Sequence, residues 1–320
     1  MDEHADLEAL VLGAAPELTR DEVSALAGVP EPEARAMWVA LGFPAVEADV
    51  RAFTRLDAEA LSTCVALRDS GVVDDGTLLV LARAMGQGLS RLAEAQIDAF
   101  RGQAAQLAPD DVLAATRDTA GVLVPQLERL LVHVWRRQLA AATVRSLAAV
   151  GTEGLPVRAV GFVDLVGYTR TSRSLSAAEL EHVLEQFERE TARRVTEHGG
   201  RVVKTLGDEV MFTCDDAPSA ALVALETVEA HDADEALPDV RAGVALGGVV
   251  LRLGDVFGEP VNLASRLTSE ARPGTVLGDL ELSAALEQDD RFALRRLPSR
   301  QVRGYSSLRP HVVRRASVRP

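Results

Sequence analysis

The chain has 320 residues, enough for two domains of ordinary size. Its hydrophobic fraction of 47% is normal for a globular protein, and with only 4% aromatic residues its cores must be built from Ala, Leu and Val. A formal net charge of −14 argues against a general nucleic-acid or anionic-membrane surface, while leaving room for a local phosphate site.

The first ten residues, "MDEHADLEAL", are acidic and lack the basic-then-apolar order of a signal peptide. Apolar runs such as "TLLVLA" fall far short of the roughly 20 residues needed to span a bilayer. Two cysteines, Cys64 and Cys214, cannot build a disulfide framework and read as small buried apolar residues. Together these features predict a cytoplasmic protein.

Residues 1–125 carry helical spacing almost throughout. In "LTRDEVSALAGV", Thr19 is a candidate cap with Glu22 three residues on, and Val23, Leu26 and Ala27 share a face. "EPEARAMWVALGF" predicts a second helix, and "LDAEALSTCVALRDSG" a third that stops at Gly71. "DDGTLLVLARAMGQGLSRLAEAQIDAFRG" predicts a long fourth helix, apolar enough to be largely buried. Residues 126–150 predict a further long helix with Leu127, Leu130, Leu131, Val134, Leu139 and Val144 on a partly continuous stripe. It runs into "GTEGLP", whose two glycines and proline mark a domain boundary.

From residue 157 the period changes. "VRAVGFVDLVG" is a buried-strand pattern, and "SLSAAELEHVLEQFERETARRVTEHGG" is an amphipathic helix with a Ser cap and a Gly-Gly stop. "RVVKTLGDEVMFTC" reads as strand, turn, strand. "DAPSAALVALETVEAHD" is a helix with Pro218 near its start, "VRAGVALGGVVLR" is again β, and "PVNLASRLTSEA" is a short helix. The order β-α-β-β-α-β predicts an α+β, ferredoxin-like domain. In such a unit the first strand lies beside the later hairpin, so Asp164 and Asp208 face each other though 44 residues apart in sequence. Two carboxylates at neighbouring strand ends suit Mg²⁺ or Mn²⁺, hard cations that bind oxygen and are shared with phosphates. The segment from Leu165 through Gly167, Tyr168 and Thr169 supplies a glycine turn and backbone N–H groups, a miniature phosphate cradle.

Four motifs, "FVDLVGYT", "VVKTLGDEVMF", "VRAGVALG" and "DVFGEPVNLASRL", resemble the successive motifs of the class III nucleotidyl cyclase domain over about residues 157–316. The resemblance implies an ATP-using adenylate cyclase that works as a head-to-tail homodimer with active sites in the interface. Asp164 and Asp208 match the two aspartates that hold two divalent ions per site, Mg²⁺ or Mn²⁺, with the Leu165 backbone beside them. Lys204 matches the purine-selecting lysine and Asp255 its partner acid. Lysine donates to adenine N1 and an aspartate accepts from the N6 amine, whereas guanine presents the reverse polarity. Asn262 and Arg266 match the pair that orients the ribose and stabilises the transition-state phosphate. Arg241 and Arg303 match basic residues that meet the triphosphate, although many relatives carry lysine at the second of these positions. Tyr168 stands where the family often has Phe. The turn around Glu209 is similar to the "GGDEF" turn of diguanylate cyclases but lacks its second Gly and its Phe, and Glu209 is left without a role.

Residues 1–125 resemble the helical regulatory module that precedes some actinobacterial cyclase domains, which leaves 126–156 as connecting helix and linker and 157–320 as the catalytic domain. The same stretch is similar to a helix-turn-helix of the MerR type. Its second helix holds one Arg and two Glu, a poor surface for DNA. No nucleic acid and no integral membrane contact are expected. A competing reading is a nucleotide-binding scaffold or DNA-binding regulator with an inactive cyclase fold. His133, beside Arg136 and Arg137, is a candidate pH-responsive residue, and a small lipid-like effector is a candidate ligand of the Ala/Leu-rich helices.

Overall fold

The computed structural model describes residues 3–43, 46–107, 111–148, 154–167, 175–232, 238–302 and 305–316. They form two compact units that divide between Leu147 and Ala148.

The first unit is helical: α1 (Glu3–Leu12), α2 (Arg20–Ala27), α3 (Glu31–Leu41), α4 (Arg55–Asp69), α5 (Asp75–Leu107) and α6 (Val112–Ala148). Thr19 caps α2 in a reciprocal box with Glu22, and Thr54 does the same for α4 with Asp57. Gly28, Gly42 and Gly71 end three helices in the left-handed conformation that glycine adopts without strain. Val23, Ala34, Met37, Trp38, Phe53 and Leu61 form the core, with Trp38 stacked on Phe53 at 4.9 Å. A pocket of about 280 Å³ lies among α3, α4 and α5, lined by Met37, Leu61, Cys64, Val65, Arg68 and Leu78.

Two expectations change here. The long fourth helix, α5, is not largely buried. It packs on α3 and α4 through Leu78, Ala82 and Gly86 and buries Phe100 and Ala104 near its end, while Met85, Leu89, Leu92 and Ile97 are exposed. The connecting helix begins at Val112 and passes through Pro125, where a boundary was expected. Hydrogen bonding in the surrounding turns carries the helix across the proline. The stripe at Leu130, Leu131, Val134, Leu139 and Val144 is exposed. No helix among the described residues is long and apolar enough to cross a membrane.

The second unit holds the strands β1 (Val157–Leu165), β2 (Arg201–Leu206), β3 (Glu209–Cys214), β4 (Val240–Gly248), β7 (Val276–Gly278), β8 (Phe292–Arg296) and β11 (His311–Arg315). They make one sheet in the order β2-β3-β1-β4-β7-β11-β8, antiparallel except for β4 with β7. Two ribbons stand apart, β5 (Val250–Arg252) with β6 (Asp255–Phe257), and β9 (Arg300–Val302) with β10 (Tyr305–Leu308). The helices are α7 (Ala177–Glu197), α8 (Ala217–Asp232), α9 (Glu259–Glu270) and α10 (Leu280–Leu286). The run β1-α7-β2-β3-α8-β4 is the expected ferredoxin-like unit, extended by β7, β11 and β8 on one side. Ser176 and Glu179 form the capping box of α7, and Gly199 follows its end with φ 69°.

Each sheet face has its own core. Val163, Phe212, Val244 and the apolar sides of α7, α8 and α10 fill one; Val160, Phe162, Met211, Ala245 and the α9 residues Ala264 and Leu267 fill the other. Cys214 lies in the first, and burial pushes its thiol up to about 12, so it is inert.

Asp279 ties β7 to α10. Its Oδ1 accepts from the Leu282 N–H at 2.9 Å and the Leu246 N–H at 3.3 Å, and the residue is 4% exposed. Burial outweighs these two bonds and pushes the carboxyl from an ordinary 3.8 up to about 6. The folded chain therefore holds this proton more tightly than the unfolded one. The stabilisation is complete below the unfolded value and is lost as pH rises through about 6. Asp279→Asn keeps a capping oxygen and removes the charge. In thermal denaturation between pH 4 and pH 8, wild type should lose about 2 kcal/mol more than the variant. Parallel curves would refute this role for Asp279.

Candidate active site

Asp164 is the next-to-last residue of β1, flanked by Glu209 on β3 and Arg241 on β4 as cross-strand partners. Asp208 occupies the β2–β3 turn after Gly207, whose φ of 70° suits glycine. The Leu165 N–H donates to the Asp208 carbonyl at 3.0 Å, and the Val166 N–H to the Asp239 carbonyl at 2.7 Å. The two aspartates thus stand at adjacent strand ends, as the sequence predicts. Register places Asp164, Glu209, Arg241 and Lys204 on the face that carries α9, because Phe162 and Met211 pack on that helix.

Arg241 is committed here to protein groups. Its Nε and Nη2 each lie 2.7 Å from Asp164 Oδ2, and its Nη1 donates to the Ser269 carbonyl at 3.0 Å in the last turn of α9. Burial raises the Asp164 carboxyl and Arg241 opposes the rise; Asp208 adds to it. Glu209 is pushed up to about 7, first by burial and then by Asp164 and Asp208. Three carboxylates therefore crowd one strand end against one guanidinium. Asp164 and Asp208 supply oxygen donors of the kind a hard divalent cation takes. Among the described residues no three acidic, His or Cys side chains form a complete metal site. Two carboxylates would leave the remaining positions to phosphate oxygens and water. Leu165 enters only through its backbone, since its side chain is in the core.

A second cluster lies along β2. Lys204 Nζ donates to Asp255 Oδ2 at 2.6 Å, and the Val256 N–H donates to Asp255 Oδ1 at 2.8 Å. Both partners are half-buried, with 34% and 30% of their side chains exposed, so the pair is open to a ligand. Among the described residues no hydrogen bond or ion pair joins Lys204 or Asp255 to Asp164 or Asp208. Asn262 and Arg266 are exposed one turn apart on α9, opposite the buried Ala264, Leu267 and Thr268. Gly167 has φ 74°. Tyr168, Thr169 and Arg303 lie outside the described residues. The roomiest pocket described in this unit, about 550 Å³, is lined by Gly248, Glu259, Asp279 and Arg309. It opens at the other end of β4 from Arg241 and is not this site.

A family model described as the adenylate and guanylate cyclase catalytic domain matches residues 156–315. A protein named adenylate cyclase from Streptomyces coelicolor is 42% identical over 285 residues, covering 88% of this chain and 74% of that protein. The chain belongs to the class III adenylate cyclase family. An adenylate cyclase of Glutamicibacter nicotianae is 36% identical over 334 residues, covering 96% of this chain and 81% of that one. A protein named as a pH-sensitive adenylate cyclase of Mycobacterium tuberculosis is 35% identical over 235 residues, covering 70% of this chain and 58% of that protein.

Two residues near the cyclase site carry no role in the sequence reading. Glu209 could have been placed by period-two alternation, since it lies two residues before Met211 and opposite Asp164. Arg201 donates through Nη1 to the Gly254 carbonyl at 2.8 Å, at the tip of the ribbon that bears Asp255. Alternation would not have found it, because a bulge at Val203 separates it from Lys204.

The seat of α9 depends on Gly243. A Cβ there would come within 2.5 Å of the Ala264 carbonyl oxygen and closer still to the Thr268 N, both backbone atoms of α9. Gly243→Ala should lift the helix that presents Asn262 and Arg266, costing about 1–3 kcal/mol. Cyclase turnover should fall by at least tenfold while far-ultraviolet circular dichroism stays native-like. A variant with wild-type turnover would show that α9 tolerates the added methyl.

Proposed function

We propose that the chain is an adenylate cyclase that converts ATP to 3′,5′-cyclic AMP and pyrophosphate at sites shared across a homodimer. The Lys204–Asp255 pair carries this reading. A cation donor and a carboxylate acceptor, 2.6 Å apart and reachable from solvent, complement the N1 acceptor and N6 donor of adenine. Guanine offers the opposite polarity and would leave both groups unpaired, a costly mismatch.

Asp164, Asp208 and the Leu165 backbone would hold Mg²⁺ or Mn²⁺. Bound there, divalent ions supply Lewis-acid activation of the ribose 3′-oxygen and neutralise the triphosphate. Asn262 orients the ribose, and Arg266, one turn on, faces the phosphate charge that develops as the 3′-oxygen attacks the α-phosphorus and pyrophosphate leaves. Arg241 orients Asp164, and a triphosphate at this tip would draw on the same guanidinium. Arg303 is assigned to phosphate binding by family resemblance, and Tyr168 and Thr169 by the glycine-turn pattern of the sequence.

The separation of the two clusters supports a shared site. In a head-to-tail pair, Asp208 of one protomer would serve one active site while its own Lys204 reads adenine in the other. Purified protein with Mn²⁺-ATP should form cyclic AMP, and Asp208→Ala should lower the rate by at least a hundredfold. Mixing Lys204→Ala with Asp208→Ala chains should restore one working site per heterodimer. Verified heterodimers that stay inactive would exclude the shared-site arrangement.

We assign regulation to the helical unit, because α6 ends a few residues before β1. A shift of such an element biases how catalytic units pair, by population shift. The 280 Å³ pocket is the candidate effector site. Removing residues 1–147 should change turnover at least fivefold; unchanged kinetics would end this assignment.

A further inference from the structure

The ribbon that bears Asp255 has little holding it by itself. β5 and β6 have three residues each, pair only with each other and form a two-stranded sheet of their own. A lone two-stranded ribbon is marginal in water. Its turn adds strain. Leu253 has φ 52° and Gly254 φ 79°, so both central residues are left-handed, as a type I′ turn requires. Asn or Gly takes the first of these positions readily; leucine does so at a cost of roughly 1 kcal/mol or more. Leu251, Leu253 and Phe257 are exposed, and Val256 is the ribbon's buried anchor.

Two side chains of β2 fasten this ribbon to the sheet. Lys204 reaches the Asp255 carboxylate, and Arg201 reaches the Gly254 carbonyl, one residue earlier. Residues three apart on a regular strand point to opposite faces. Here the register steps from Arg201↔Thr213 and Val202↔Phe212 to Lys204↔Met211, so the bulge at Val203 brings Arg201 and Lys204 onto one face. Their tasks differ. Lys204 must turn from Asp255 to adenine N1 when the base enters. At that moment the ribbon loses one of its two ties, and Arg201, which binds backbone, remains.

We propose that Arg201 is a positioning residue for purine selection, holding the Leu253–Gly254 turn so that Asp255 keeps its place when Lys204 turns to the base. This rests on reading Lys204 and Asp255 as the purine-selecting pair. Electrostatics agree. Burial works against the Asp255 carboxylate, yet Lys204, the Val256 N–H and then Arg201 outweigh it and hold the acid below its ordinary range. The acceptor for the N6 amine thus stays ionised. Lysine at 201 would still reach a carbonyl with one donor, whereas alanine or methionine cannot.

The test compares full-length wild type with Arg201→Ala, Arg201→Met and Arg201→Lys, using Mn²⁺-ATP and Mn²⁺-GTP. In the alanine and methionine variants the ATP-over-GTP preference in kcat/KM should narrow by about tenfold, with the loss falling on KM for ATP rather than on kcat. Lysine should recover most of the preference. Amide hydrogen exchange should quicken across Val250–Phe257 and not in β1 or β4. Methionine keeps the aliphatic stem and serves if the alanine variant fails to fold. An unchanged nucleotide preference, or equal losses for ATP and GTP with the preference intact, overturns the proposal and leaves the adenylate cyclase reading standing. A wild-type chain that makes no cyclic AMP overturns both.

Discussion

The hinge of the catalytic unit is the ion pair between Arg241 and Asp164. A carboxylate with 14% of its side chain exposed is costly to keep charged, and Asp208 and Glu209 beside it raise the cost. Arg241 supplies the compensating charge from the adjacent strand, through two donors on one oxygen. Its third contact, to the Ser269 carbonyl, also satisfies part of the α9 C-terminus. One guanidinium therefore fixes the acid at the strand tip and the end of the helix that carries Asn262 and Arg266. A lysine could not do this, because an ammonium lacks the planar fork that serves two directions at once.

That arrangement also explains why the strand tip suits cations. The sheet brings acids from β1 and the β2–β3 turn together through backbone register, with Gly207 allowing the tight turn. The fold thus concentrates negative charge that a single arginine does not cancel. Burial first, and then the charges of Asp164 and Asp208, push the Glu209 carboxyl up to about 7. A divalent ion would relieve it at the place where a triphosphate needs neutralising.

The parts legible in the sequence were those that depend on local pattern or on topology alone. Thr19 with Glu22, and a serine cap with a Gly-Gly stop, announce their helices, and the β-α-β-β-α-β order suffices to juxtapose Asp164 with Asp208. Other features depend on what lies across the sheet or beside a helix. Arg241 reads as a phosphate contact, and only the β1–β4 register shows Asp164 as its neighbour. The connecting helix reads as starting at residue 126, yet it begins at Val112 and carries Pro125 inside it. The fourth helix reads as buried because it is apolar, but apolarity does not say which of its sides a neighbour covers, and Met85, Leu89, Leu92 and Ile97 are exposed. Glu209 was within reach of alternation; Arg201 was not, because a bulge leaves no mark in composition.

Arg201, Lys204 and Asp208 put two groups of contacts on one short strand and its turn. Within eight residues, β2 places Lys204 on the sheet face that carries α9, paired with Asp255, while Asp208 follows in the turn beside Asp164. If both served one site in the same protomer, Lys204 would sit beside the acids and draw their charge, competing with the cation they suit. Its charge is spent instead on Asp255, 2.6 Å away in the β5–β6 ribbon. The acids at the tip keep their negative potential, and Lys204 keeps a carboxylate partner that is reachable from solvent. In the proposed head-to-tail pair a second protomer would complete each cluster, and one chain paired with itself would supply both.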